Sequence, residues 1–270
     1  MTSSVLRIAR NDFINVRRSR LLWGVVAAYA LLIVLLTGAG LTTNVDSAAE
    51  LLVGFVGITA AALPVVALVA GYLSIAGERE AGTIKLRLGL PDSRLALVTG
   101  KLVSRSMTVC LGLAVTFGIA LAIALISFDA VDITVYARFI ALSVLFALTN
   151  VAVAVGLSAF AATRARAMTL AMGFYVCLNV LWLLGNSYIV AGVRGVANAL
   201  GVAVSANAAS FVSVLSPIGA YLEAMELAFA SGLDVGTTGV VPWLGVAMLV
   251  VWGIIVPSAG YCRFRTAELA

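Results

Sequence analysis

The residues best suited to chemistry in this chain are charged and gathered in one stretch. Glu78, Arg79 and Glu80 stand side by side, and Lys85, Arg87, Asp92, Arg94, Lys101 and Arg105 follow, so nine of the chain's 29 charges lie between Glu78 and Arg105. Carboxylates and guanidinium groups at this density make ion pairs and charge-assisted hydrogen bonds. They do not make a familiar catalytic centre. The chain has no histidine, which excludes Ser-His-Asp, Cys-His and HExxH chemistry. Its three cysteines, Cys110, Cys177 and Cys262, are far apart without CxxC spacing, so a disulfide framework or a zinc site is not expected. Gly100-Lys101 is not a phosphate loop: Leu95 stands where GxxxxGK[ST] needs its first glycine, and Leu102 follows the lysine. No nucleotide site, resident cofactor or nucleic-acid partner is expected for this chain.

The same stretch is also partly apolar. Ile84, Leu86, Leu88 and Leu90 are interleaved with Lys85 and Arg87. Gly82 and Thr83 offer a bend and a side-chain cap. Pro91 disfavours helix at Leu90, and Asp92 or Ser93 can cap the helix that follows. Residues 77–101 therefore read as a short element held under a membrane between two rigid helices, suited to passing force to a cytoplasmic partner. The alternative is a solvated loop, the common fate of a charge run, but a solvated loop has no need of four large apolar side chains.

The elements that must position this segment follow from composition. Of 270 residues, 63% are apolar and only 11% charged, with a mean hydropathy of +1.13; a soluble domain carries about a quarter charged residues. The fold class expected is an all-α integral membrane protein, a single transmembrane domain over residues 1–270. About 20 apolar residues cross the hydrocarbon core as a helix. Six stretches qualify, at about 21–41, 51–76, 102–126, 139–161, 167–191 and 241–261. Fifteen of the 17 basic residues fall in the tails and in the segments after the second and fourth spans. The positive-inside rule then puts both termini in the cytoplasm. A cleaved signal peptide is disfavoured because the first apolar run is too long and its removal leaves five spans.

Residues 1–20 read as an amphipathic interfacial helix. Val5, Leu6, Ala9, Phe13 and Val16 lie on one side, while Arg7, Arg10, Asn11, Arg17 and Arg18 lie on the other. The arginines face anionic lipid or act as a plain positive-inside anchor. Residues 192–240 form a long outer segment of mixed character with a break at Ser216-Pro217, read as one or two helices lying on or dipping into the outer face. Glu223 and Glu226, one turn apart, either face a water-filled vestibule or are ordinary outer-surface charges, the commoner case. Inside the spans only Asn150, Asn179, Asn186 and scattered Ser and Thr are polar, and such groups more often bond between helices than bind substrate. Ion-driven transport usually needs ionisable residues there. Pro64 and Pro257 are candidate kinks.

The run Glu78, Arg79, Glu80, Gly82, Thr83, Ile84, Leu90, Pro91, Ser93 and Arg94, followed by Gly100 and Lys101, resembles the signature of ABC-2 type transporter permeases. Ala81 replaces the serine usual before the glycine, a mild departure. The amphipathic N-terminal helix, the six spans and the Ser216-Pro217 segment resemble that family too. Among its branches, the compact form looks like the permeases of nitrous-oxide-reductase maturation and multidrug export.

The resemblance implies a membrane subunit that works as a pair of permease chains in the plasma membrane of a prokaryote. It also implies a separate cytoplasmic ATP-binding subunit, carrying ATP-Mg, that docks on the segment after the second span. Glu78, Arg79, Glu80, Gly82, Thr83, Pro91 and Arg94 are then the coupling residues, Arg7, Arg10, Arg17 and Arg18 seat the interfacial helix, and export is the expected direction. The maturation branch is linked to copper-site assembly, for which this chain offers no histidine, cysteine pair or methionine cluster.

Overall fold

A computed structural model describes residues 2–16, 18–42, 47–84, 93–201, 211–229 and 242–267. Among them all regular structure is helical. In chain order the helices are α1 (Thr2–Val16), α2 (Arg20–Thr42), α3 (Ala48–Gly71), α4 (Ala76–Glu80), α5 (Arg94–Ser127), α6 (Ile133–Phe160), α7 (Arg164–Tyr175), α8 (Leu181–Ala199), α9 (Pro217–Ala224) and α10 (Pro242–Thr266). A π-helical turn, Val176–Val180, joins α7 to α8, and a 3-10 turn, Met225–Leu227, extends α9. Six of these units are long and apolar enough to cross a membrane: α2, α3–α4, α5, α6, α7–α8 and α10, here spans one to six.

Spans two to five are longer than their apolar runs because each helix starts at a polar cap. Ser47, Ser93, Asp132, Thr163 and Ser216 each accept a backbone N–H of the first turn that follows, which satisfies donors the helix itself leaves unpaired. Span three shows the consequence. Its expected start near 102 moves to Arg94, and its 34 residues measure about 50 Å against a core of about 30 Å. Span five runs from Arg164 to Ala199, so residues 192–199, assigned to the outer segment above, belong to that span. Residues 202–210, 230–241, 85–92 and Arg17 lie outside the described residues, as does the part of each assignment that falls on them.

Span two is not one helix out to Glu80. It turns at residues 72–75, where the Ile75 and Ala76 amides donate to Ser158 Oγ at 3.0 and 3.1 Å, so a span-four hydroxyl holds the break. Pro64 and Pro257 lie inside helices that continue past them.

Span four is the central helix, packed most closely on span six. A Cβ on Gly260 would stand 2.1 Å from Gly156 O, and one on Gly156 would stand 2.7 Å from the Pro257 backbone. Small residues are what let backbones approach in lipid, where association rests on close packing. Aromatic pairs fill the other crossings: Phe117 meets Phe139 edge-on at 5.4 Å, and Phe146 stacks on Tyr221 at 4.4 Å.

Tyr221 belongs to α9, so the outer segment does not lie on the surface there. Pro217–Ala224 is tucked between spans, with the Tyr221 hydroxyl 3.1 Å from Ser143 Oγ. This corrects one reading. Glu223 is 2% exposed and is not an ordinary outer-surface charge, because the apolar side chains around it carry the whole turn inward.

Candidate functional site

The charged stretch closes into a network at one face of the bundle. In α4, successive side chains project about 100° apart, so Glu78, Arg79 and Glu80 reach three different elements. Glu78 Oε1 is 2.5 Å from Lys101 Nζ on span three. Arg79 Nη1 donates to Ala161 O at 3.3 Å, the carbonyl just past the end of span four. Glu80 Oε2 accepts from Arg164 N at 2.6 Å, the first residue of span five. A carboxylate there gains from the unpaired amides and the positive end of the helix dipole.

The turn after α4 is built for a sharp exit. Ala81 caps the helix, and Gly82 takes φ +70, a left-handed conformation that costs glycine little. Thr83 Oγ1 donates back to Glu78 O at 3.2 Å, and Ile84 is buried. Pro91 lies outside the described residues. The chain returns at Ser93, whose Oγ accepts from Ala96 N at 3.1 Å. Arg94 then spreads over the end of span six. Its Nη1 donates to Phe264 O at 2.6 Å, Ala267 O at 2.9 Å and Arg265 O at 3.1 Å, and its guanidinium lies 5.4 Å over the Phe264 ring. Phe264 O and Arg265 O belong to the last turn of the helix, where carbonyls run out of amides four residues on.

Lys101 is the hub, 1% exposed although it is a lysine. Its second partner is Asp12 of α1, Oδ1 to Nζ at 2.5 Å. One turn further along span three, Arg105 donates from Nε to Asp12 Oδ2 at 2.9 Å and from Nη1 to Ala70 O at 2.8 Å. Two carboxylates and two cations thus neutralise one another around a buried Asp12–Lys101 pair, with Glu78 and Arg105 at its partly exposed margin, the condition under which buried charge is tolerated. Burial alone pushes the Asp12 carboxyl up, but Lys101 and Arg105 together pull it below its ordinary value. Beside the hub a Cβ on Gly100 would stand 2.7 Å from Ile8 Cγ2, so α1 lies directly against span three.

This revises the reading of α1. Its buried stripe is Ile8, Ala9, Asp12 and Val16, while Leu6 is 67% exposed. The helix packs on protein along that stripe, and the apolar side assigned from Leu6 and Phe13 is only partly covered. Arg7, Arg10 and Arg18 are on the exposed side; Arg17 is outside the described residues. Sequence reasoning missed Asp12, Arg105 and Ser158. Asp12 left a signal: it is the acidic residue of a basic helix, four positions from Ile8 and from Val16, on the apolar side.

The hydrogen bonds and ion pairs of the network tie α1, α4 and the ends of spans four, five and six to one another. Among the described residues no three His, Cys, Asp or Glu side chains gather to hold a metal ion.

Comparison with known proteins agrees with the architecture. Residues 6–269 match the family model described as ABC-2 family transporter protein. The chain is also 30% identical over 198 residues to a protein of Pseudomonas aeruginosa described as probable ABC transporter permease protein NosY, covering 67% of this chain and 70% of that one.

Proposed function

The chain belongs to the ABC-2 family of transporter proteins, and from that premise we propose that it passes the work of a separate ATPase through the Glu78–Arg105 network. That it is the permease subunit of an ABC transporter, a multi-pass membrane protein and not itself an enzyme, follows from the family. The finer reading is a cytoplasmic ATP-binding subunit, with ATP-Mg, docking on residues 77–101 of a prokaryotic plasma-membrane protein whose transport runs outward. The face that carries the network also carries most of the arginines and lysines, and the positive-inside rule puts such a face in the cytoplasm.

One observation carries the proposal. The segment between Ile84 and Ser93 is anchored at both ends by residues that each hold a different helix: Glu78 holds span three, Lys101 holds α1, Arg79 holds span four, Glu80 holds span five, and Arg94 holds span six. A displacement of that segment is delivered to the whole bundle at once. A bound ATPase shifts an equilibrium between bundle states only as far as it binds them differently.

Span five is the other half of the reading. Met168, Met172, Leu184 and Tyr188 are exposed along it, Tyr188 to 81%, and nothing approaches Gly185 or Gly192. That face suits close packing against a second permease chain, identical or related. The proposal is tested by affinity purification from native membranes. Recovery of a P-loop ATPase, lost when residues 85–90 are replaced by a Gly/Ser stretch, is the expected result; substrate transport by the permease alone would refute it.

A further inference from the structure

A cavity of about 430 Å³ opens beside α4, between the network-side ends of spans four, five and six. Arg79, Arg166 and Arg263 line it together with Phe160, Leu170 and Thr169, and no Asp or Glu contributes. Among the described residues the ion pairs involve none of these three arginines. Arg79 gives one N–H to Ala161 O and has four left; Arg166 and Arg263 are exposed. Three guanidinium groups around one space repel each other, and an anion between them removes that cost. Guanidinium also matches phosphate oxygens in a bidentate way.

The depth of the cavity selects the source of the anion. It lies where apolar spans end, the level of lipid headgroups. Its wall changes character along span five: Leu170 sits about 9 Å deeper than Arg164 and one turn beyond Arg166 on the same side of the helix. Phe160, 48% exposed, closes the same side from span four. A free anion has no use for the apolar wall, whereas an amphiphile uses both parts. We propose that this pocket binds the phosphate of an anionic phospholipid, with its acyl chains running past Phe160 and Leu170. The inward orientation proposed above decides only which leaflet supplies the lipid; binding itself is measured without any ATPase and stands or falls separately.

The test is native mass spectrometry of the full-length permease in mild detergent with dioleoylphosphatidylglycerol, dioleoylphosphatidylcholine or inorganic phosphate as probe. The wild type should retain phosphatidylglycerol in preference to the other two. The double variant Arg166→Gln/Arg263→Gln should bind it about thirtyfold more weakly, since each basic residue near a membrane surface contributes about fivefold. Ala165→Trp, which fills the pocket without altering charge, should also lose it. Phosphatidylglycerol binding unchanged in both variants overturns the proposal, and an impaired recovery of the ATPase by those same variants would then mark the arginines as a contact for it. Equal retention of phosphatidylcholine, or retention of phosphate without lipid, overturns it as well.

Discussion

Asp12 and Lys101, 89 positions apart in the chain, meet Oδ1 to Nζ at 2.5 Å with both side chains nearly sealed from solvent. The pair makes the N-terminal helix part of the bundle. Because the same ammonium also holds Glu78 at 2.5 Å, α1, span two and span three converge on one charge. A helix that sequence would lay in the lipid headgroups is instead fixed to the element proposed to receive the ATPase.

Asp12→Asn keeps the shape of the side chain and removes its charge, leaving the buried Lys101 and its neighbour Arg105 with only Glu78 as a carboxylate of the network. Breaking a buried pair from one side costs about 3 kcal/mol or more. The melting temperature of the reconstituted chain should fall accordingly. Adding Lys101→Met should restore part of the loss, because the cost lies in the stranded cation rather than in the missing bond. Strict additivity of the two losses would show that the groups are not coupled.

Acid should not undock α1 until well below neutral pH. The Asp12 carboxyl is held below its ordinary value, so its contribution is fully present above the unfolded value of about 4 and disappears only as pH falls through the lower folded value. Hydrogen exchange of residues 5–16, corrected for intrinsic rate, should therefore show equal protection at about pH 7 and about pH 5. Loss of protection over that interval would contradict the assigned ionisation.

Gly260→Ala should separate spans four and six. The added methyl would lie 2.1 Å from Gly156 O, a backbone atom with no rotamer to escape into. Overpacking of this kind costs about 1–3 kcal/mol. Thermal unfolding should report it, and Gly118→Ala, with nothing within 4 Å, is the matched control in which little changes.

The spans and several caps were legible because they rest on local rules. An apolar run of about 20 residues has few alternatives in a bilayer, and Ser93 and Ser216 start helices where a hydroxyl precedes a first turn. The partners of Glu78, Arg79 and Glu80 were not legible. Their neighbours Lys101, Ala161 and Arg164 are brought to them by the packing of spans three, four and five, which no local spacing encodes. Asp12 lay between the two cases. An acid on the apolar side of a basic helix calls for a buried cation, and Lys101 and Arg105, four residues apart on one helix face, were available to answer it. Glu223 was misread because whether a charge near a span end is outside or inside depends on what packs over it.

The contact between Glu80 and span five can be removed from either side, which separates coupling from stability. Glu80→Gln retains an acceptor for Arg164 N but loses the charge that the helix terminus favours, worth about 1 kcal/mol. Arg164→Pro removes the donor itself. Proline is tolerated there, since Arg164 is the first helical residue after the Thr163 cap, and Thr163 already has the extended φ of −130 and ψ of 159 that proline asks of its predecessor. Each change alone should raise the ATP hydrolysed per substrate moved in the reconstituted transporter. Because both break one link, the double variant should be no worse than the poorer single. If the effects instead multiply, Glu80 acts through some other partner and the 2.6 Å bond to span five does not carry the motion.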